Sequence, residues 1–138
     1  MVDKFWLDKP LIPLPVHVGL FCYPEDFEKE RKKRKIPPCQ YITDHAQMCV
    51  HTFENDETGM QVKCICVDMR KMKGQSTNEI IAMLVHEVIH VWQGIKEYLG
   101  ERSPSNEFEA YAIQHLTLNV LELFAKQQHE SRRSTRKA

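Results

Sequence analysis

The sequence has no net charge: 19 Lys and Arg are set against 19 Asp and Glu over 138 residues. Nothing global therefore draws it to nucleic acid or to an acidic membrane surface. It has no Cys-x-x-Cys, and its five cysteines (Cys22, Cys39, Cys49, Cys64 and Cys66) are odd in number. That argues against a disulfide framework and for reduced thiols in a cytoplasm. The opening Met1 to Trp6 lacks the basic-then-apolar layout of a signal peptide. No apolar run reaches membrane-spanning length, because Leu11 to Cys22 is broken by Pro13 and Pro15. No internal repeat is present. What is left is an ordinary globular composition, 42% hydrophobic and 28% charged, on a chain long enough for one domain with a real core.

Against that plain background stands His86-Glu87-Val88-Ile89-His90, inside the apolar run Ile80 to Val85 that continues through Val91-Trp92. Positions four apart share a helix face, so both imidazoles point the same way. Two histidines so spaced can bind one zinc ion, and the glutamate between them can take a proton from a zinc-bound water. Ser76-Thr77-Asn78-Glu79 reads as a capping box that starts the helix. Ile81, Leu84, Val85, Val88 and Trp92 form its apolar stripe, and Ile80 and Ile89 widen it until little solvent face remains. The helix is expected to be buried, and buried His and Glu need partners. A metal would be one; main-chain carbonyls around two core histidines would be the plain alternative.

The rest of the chain reads as an α+β domain. Residues 1 to 23 form a proline-punctuated arm (Pro10, Pro13, Pro15) with a short strand at Val16 to Cys22; His17 there is a packing or surface residue. Pro24 to Lys35 is a helix with proline at its first position, acidic Glu25 and Asp26 at the positive end and basic Arg31 to Lys35 at the other. That basic run reads as a solvated helix end, since no aromatic residues interleave it. Ala46 to Phe53 and Met60 to Val67 form a hairpin around Glu54 to Gly59. In the second arm Val62, Cys64 and Cys66 share one face, and Lys63, Ile65 and Val67 the other. Ser103 as N-cap and Pro104 open a last helix that runs to about Gln128, with Phe108, Ala112, Leu116, Leu123 and Phe124 on its buried side. The domain is expected over residues 1–129, and residues 130–138 as a basic disordered tail.

A catalytic zinc keeps three protein ligands and one open position. The downstream candidates are Glu107, Glu109 and His115. Glu107 and Glu109 lie about 200° apart on a helix, so only one can face the ion. Glu107, with small Ala110 on its face, is favoured, and Glu109 is the alternative ligand or a supporting partner. If the histidine helix ran unbroken to Leu99, its end would lie about 13 Å beyond His90, too far for Glu107 to return. A break or bend at Gly94 is therefore expected.

The motif His86-Glu87-x-x-His90 followed by Asn106-Glu107-Phe108-Glu109-Ala110-Tyr111 resembles the gluzincin branch of the zincin metallopeptidases, over about residues 76 to 116. The whole chain is similar to small single-domain proteins of this type encoded by phages and prophages. The resemblance implies a minimal zincin-like fold: a small antiparallel or mixed sheet packed on the buried histidine helix and a following glutamate-bearing helix. It implies one zinc ion on His86, His90 and Glu107, with Glu87 as general base, and a peptide or protein substrate cut in the cytoplasm of a bacterial host. The metzincin pattern is absent, since Gln93 stands where its glycine would be expected and no third histidine follows at the right spacing. Tyr111 stands where the family often has an acidic residue. Candidates for stabilising the tetrahedral oxyanion are Tyr98, Tyr111 and His115, and the Met60 to Val67 strand, if a sheet edge, could pair with an extended substrate. The alternative is a zinc-binding regulatory protein that cuts nothing. Oligomeric state is not legible.

Overall fold

The computed structural model describes residues 3–7 and 16–137; the proline-rich part of the expected arm, 8–15, lies outside them. The described chain is α+β, with three strands and three helices in the order β1 (Val16–Phe21), α1 (Pro24–Lys33), β2 (Met48–Glu54), β3 (Gln61–Val67), α2 (Thr77–Leu99) and α3 (Asn106–Lys137). The expected hairpin is β2–β3, antiparallel with Met48 opposite Val67 and Glu54 opposite Gln61. β1 joins β3 in parallel on its other side, Val16 opposite Gln61 and Phe21 opposite Cys66. The sheet order is therefore β1-β3-β2, and the strand considered as an edge, Met60 to Val67, is the central one. Its β1 partner is distant in sequence, and hairpin patterning reports only local pairings.

Alternation along the strands assigns each side chain to a layer. Val18, Leu20, Met48, Ile65 and Val67 face α2 and α3, where they meet Leu84, Val88, Trp92, Ala112, Leu116 and Val120 in the larger core. Phe21, Cys64 and Cys66 face the other way, toward Phe27 of α1 and the 36–46 segment. The two faces read from β3 are thus the two faces found. All five cysteines are free. Residues 5–7 cover the outer side of β1, with Leu7 N–H donating to Val18 O (3.0 Å) and Leu20 N–H to Phe5 O (2.8 Å). Among the described residues no strand covers the outer side of β2.

The helix ends follow their chemistry. Ser76 Oγ accepts from Glu79 N–H (3.1 Å), and the Glu79 carboxylate accepts from Ser76 N–H (3.3 Å), so the capping box is formed. α3 begins at Asn106, two residues later than Ser103 as N-cap suggests, because Ser105 Oγ accepts the Phe108 N–H (3.3 Å). It then runs through the expected disordered tail as far as Lys137. Ties to the amino-terminal half hold that end: Lys4 pairs with Glu130 (2.7 Å) and the Tyr23 hydroxyl bonds Ser131 Oγ (3.0 Å). On α1, Arg31 pairs with Glu28 and Arg34 with Glu30, so part of the basic run is neutralised locally. Among the described residues no helix is long and apolar enough to cross a membrane.

Candidate metal and catalytic site

α2 presents its residues at about 100° steps. Leu84, Val88, Val91, Trp92 and Ile95 are all buried and, at those steps, share an arc of about 100°. His86 and His90 lie about 200° and 240° round from Leu84 and are both exposed. This corrects the expectation of a helix buried all round. The sheet and α3 cover two sides of α2, and the histidines fall in the sector that neither covers. The alternative of two core histidines held by carbonyls is excluded by the same exposure.

The imidazoles do converge. His86 Nε2 and His90 Nε2 are 3.1 Å apart, with ring planes at 79°. Two zinc–nitrogen bonds of about 2.0–2.1 Å at a tetrahedral angle would separate the nitrogens by about 3.3 Å. His90 Nδ1 lies 3.1 Å from Gln93 Oε1, a carboxamide oxygen that can only accept. With the proton on Nδ1, a neutral His90 presents its Nε2 lone pair toward His86, the tautomer a metal ligand requires.

Between the histidines on the chain, Glu87 turns toward the sheet and is 8% exposed. Burial pushes its carboxyl above the ordinary range, opposed by His86 and then by His90. It has no hydrogen-bond partner among the described residues. A carboxylate that is partly desolvated, unengaged and beside two imidazoles is free to accept a proton.

The third expected ligand is not brought in. α2 does not end at Gly94; it runs on to Leu99 and is capped by Gly100 at φ 70. Glu107 is exposed on α3. Glu109 accepts a hydrogen bond from Trp92 Nε1 (2.8 Å) and lies 3.7 Å from Lys96 Nζ. Trp92 and Lys96 sit about 200° and 240° round α2 from His90, so α3 packs on another side of the helix from the histidine pair. Glu109 thus supports Trp92, not the imidazoles. Among the described residues no group of three or more His, Cys, Asp or Glu could hold a metal ion. The donors present fit two of the three protein positions of a catalytic zinc.

Two clefts flank Glu87 and share it with Met48. One, about 580 Å³, lies on the His86 side and is bordered by His45 and Met83. The other, about 750 Å³, lies on the His90 side between Val50, Thr52 and Lys63 of the sheet and Gly94, Glu97 and Tyr98 of α2. Of the proposed oxyanion stabilisers only Tyr98 lines this cleft, and its hydroxyl donates to Gly59 O (3.2 Å). Tyr111 is 64% exposed on α3, and His115 is half-buried there against Asn119. The residue that sequence reasoning passed over is Lys63. It shares the strand face of Ile65 and Val67, where a lysine is out of pattern, and that was the available signal.

Gly94 has its own explanation. A Cβ there would overlap Lys63 Nζ, so the glycine leaves space for the ammonium and does not end the helix.

Comparison of the chain with protein-family models, with characterised proteins and with solved structures found no match.

Proposed function

We propose that this chain is a metal-dependent peptide hydrolase with a minimal gluzincin-like fold, in which His86 and His90 supply nitrogen ligands and Glu87 is the general base. The observation that carries the reading is the convergence of two imidazole Nε2 atoms, 3.1 Å apart, beside a buried, unengaged carboxylate that borders two clefts. A zinc ion held there would supply Lewis acidity toward a substrate carbonyl and toward a water. Gln93 keeps His90 in the ligating tautomer through Nδ1. Glu87 accepts the proton of the attacking water and returns it to the leaving amine. The open edge of β2, not β3, runs beside the cleft and offers main-chain groups to an extended peptide. The third protein ligand lies outside the group gathered here: Glu107, which the family pattern would nominate, is exposed on α3, and Glu109 is held by Trp92 and Lys96.

Metal analysis of purified protein, paired with a peptide-library cleavage assay, tests the reading. Glu87→Gln should keep zinc while hydrolysis falls by about 10²–10⁴-fold. His86→Ala and His90→Ala should lose both, whereas Glu107→Ala and Glu109→Ala, on the other side of α2 from the histidine pair, should keep metal. Unchanged hydrolysis in Glu87→Gln removes that residue from its role. Zinc bound by the wild type without any cleavage favours the non-cleaving zinc-binding reading.

A further inference from the structure

Lys63 is 4% exposed, on the face of the central strand that points at α2, and it lines the cleft shared by Glu87 and His90. An ammonium carries three donors. One reaches Thr52 Oγ1 at 3.2 Å, and among the described residues no carboxylate forms an ion pair with it. Glu97 and Glu54 act on it only from a longer range, and both are exposed. A buried cation without an anion is costly, and it draws one from whatever enters the site. Two further features show that the position is built. Gly94 leaves open the space against α2 that Nζ occupies, where a Cβ would meet it. Gln61, in the same cleft, has its Oε1 buried with no hydrogen-bond partner, an acceptor waiting for an N–H.

From this arrangement we infer that the Lys63 end of the cleft is a carboxylate subsite, so that the peptides taken are those with an acidic side chain or a free C-terminus close to the bond presented at Glu87. Gly94 is four residues from His90, about 6 Å along the helix axis, which puts the subsite within a residue or two of the reacting carbonyl. The carboxylate accepts from the two unused ammonium protons, and Gln61 Oε1 accepts from a neighbouring peptide N–H. A singly charged carboxylate suits the place better than a phosphate, because Glu97 and Glu54 repel a second negative charge. The inference rests on the peptide-hydrolase reading for its substrate class, but the subsite can be tested without it.

The test is an amide-shift NMR titration of the full chain, with no metal added, using three probes: N-acetylglycine, N-acetylaspartyl amide and neutral N-acetylasparaginyl amide. The two carboxylates should bind at least tenfold tighter than the neutral amide and should move the Gly94 resonance. The tighter of the two tells a C-terminus from an acidic side chain. Lys63→Met should abolish the difference, and so should Gly94→Ala, which pushes the ammonium aside without removing it. Equal binding of charged and neutral probes by the wild type, or a carboxylate-specific shift that survives Lys63→Met, overturns the subsite. The cleavage library separates the two readings: hydrolysis with no acidic preference defeats the subsite alone, whereas carboxylate binding without hydrolysis upholds the subsite and defeats the hydrolase.

Discussion

Replacing Lys63 by methionine should make the protein more stable. The methionine side chain follows the lysine stem and leaves out the charge, so the volume against Gly94 is nearly kept. One charged hydrogen bond to Thr52 is lost, worth about 1.5–3 kcal/mol in the folded state. Thr52 is exposed, so water replaces the donor. The ammonium's desolvation penalty, several kcal/mol in a buried site without an ion pair, disappears with it. The balance favours the variant by about 1–3 kcal/mol, or about 3–9 °C in Tm for a domain of this size. The gain should depend on pH in a definite sense. Burial holds the Lys63 ammonium below its ordinary value. Between the folded and unfolded pKa values the unfolded chain therefore binds more protons, and wild-type stability rises with pH through that window. The advantage of Lys63→Met is therefore larger at about pH 7 than at about pH 10, where lysine is losing its proton in the unfolded chain as well. Urea unfolding of both proteins at the two pH values measures it. A variant less stable than wild type by more than about 1 kcal/mol at neutral pH would refute the reasoning. So would a difference that does not move with pH. A stabilising substitution at this position is what a residue retained for binding predicts.

Other outcomes follow from single contacts. Gln127 is 1% exposed; its side chain accepts from Cys22 N–H (3.2 Å) and donates to Leu20 O (2.8 Å) and Lys4 O (3.0 Å). Gln127→Leu leaves those main-chain groups unpaired and should cost about 1–3 kcal/mol by urea unfolding. Trp92→Phe removes the hydrogen bond to Glu109 and part of a side chain that is 1% exposed, and should lower stability by about 1–3 kcal/mol without changing zinc content. Cys49 borders the cleft, and its thiol is held below the ordinary value first by the hydrogen bond from Cys66 and then by that from His51. Lowering a thiol in this way raises its thiolate fraction at neutral pH. Iodoacetamide at about pH 7 should therefore label Cys49 ahead of the exposed Cys39, and His51→Ala should slow it; peptide mapping by mass spectrometry reads both.

Local signals carried far along this chain. The capping box at Ser76, proline at the start of α1, the β2–β3 hairpin and the two faces of β3 each depend on residues a few positions apart, so their patterns are complete in the sequence. The same holds for His86, Glu87 and His90, whose mutual geometry is set by one helix. The errors lie where two elements had to be placed against each other. The reach of Glu107 back to the histidines predicts a break or bend at Gly94, whereas the helix runs on and a lysine from the sheet occupies the space of the missing side chain. Spacing alone aims the carboxylates of α3 at the histidines, whereas in the fold Glu109 meets Trp92 and Lys96 and Glu107 is exposed.

What the residues determined unaided is therefore the chemistry on α2: two imidazoles on one face with an acid beside them. The fold alone decided that this face is open to solvent, that β2 is the edge beside it, and that Lys63 meets Gly94 in the adjoining cleft. The reason is the range of the interactions. A helix carries its own register from one residue to the next, but which side of it is covered depends on strands and helices whose positions no local spacing encodes.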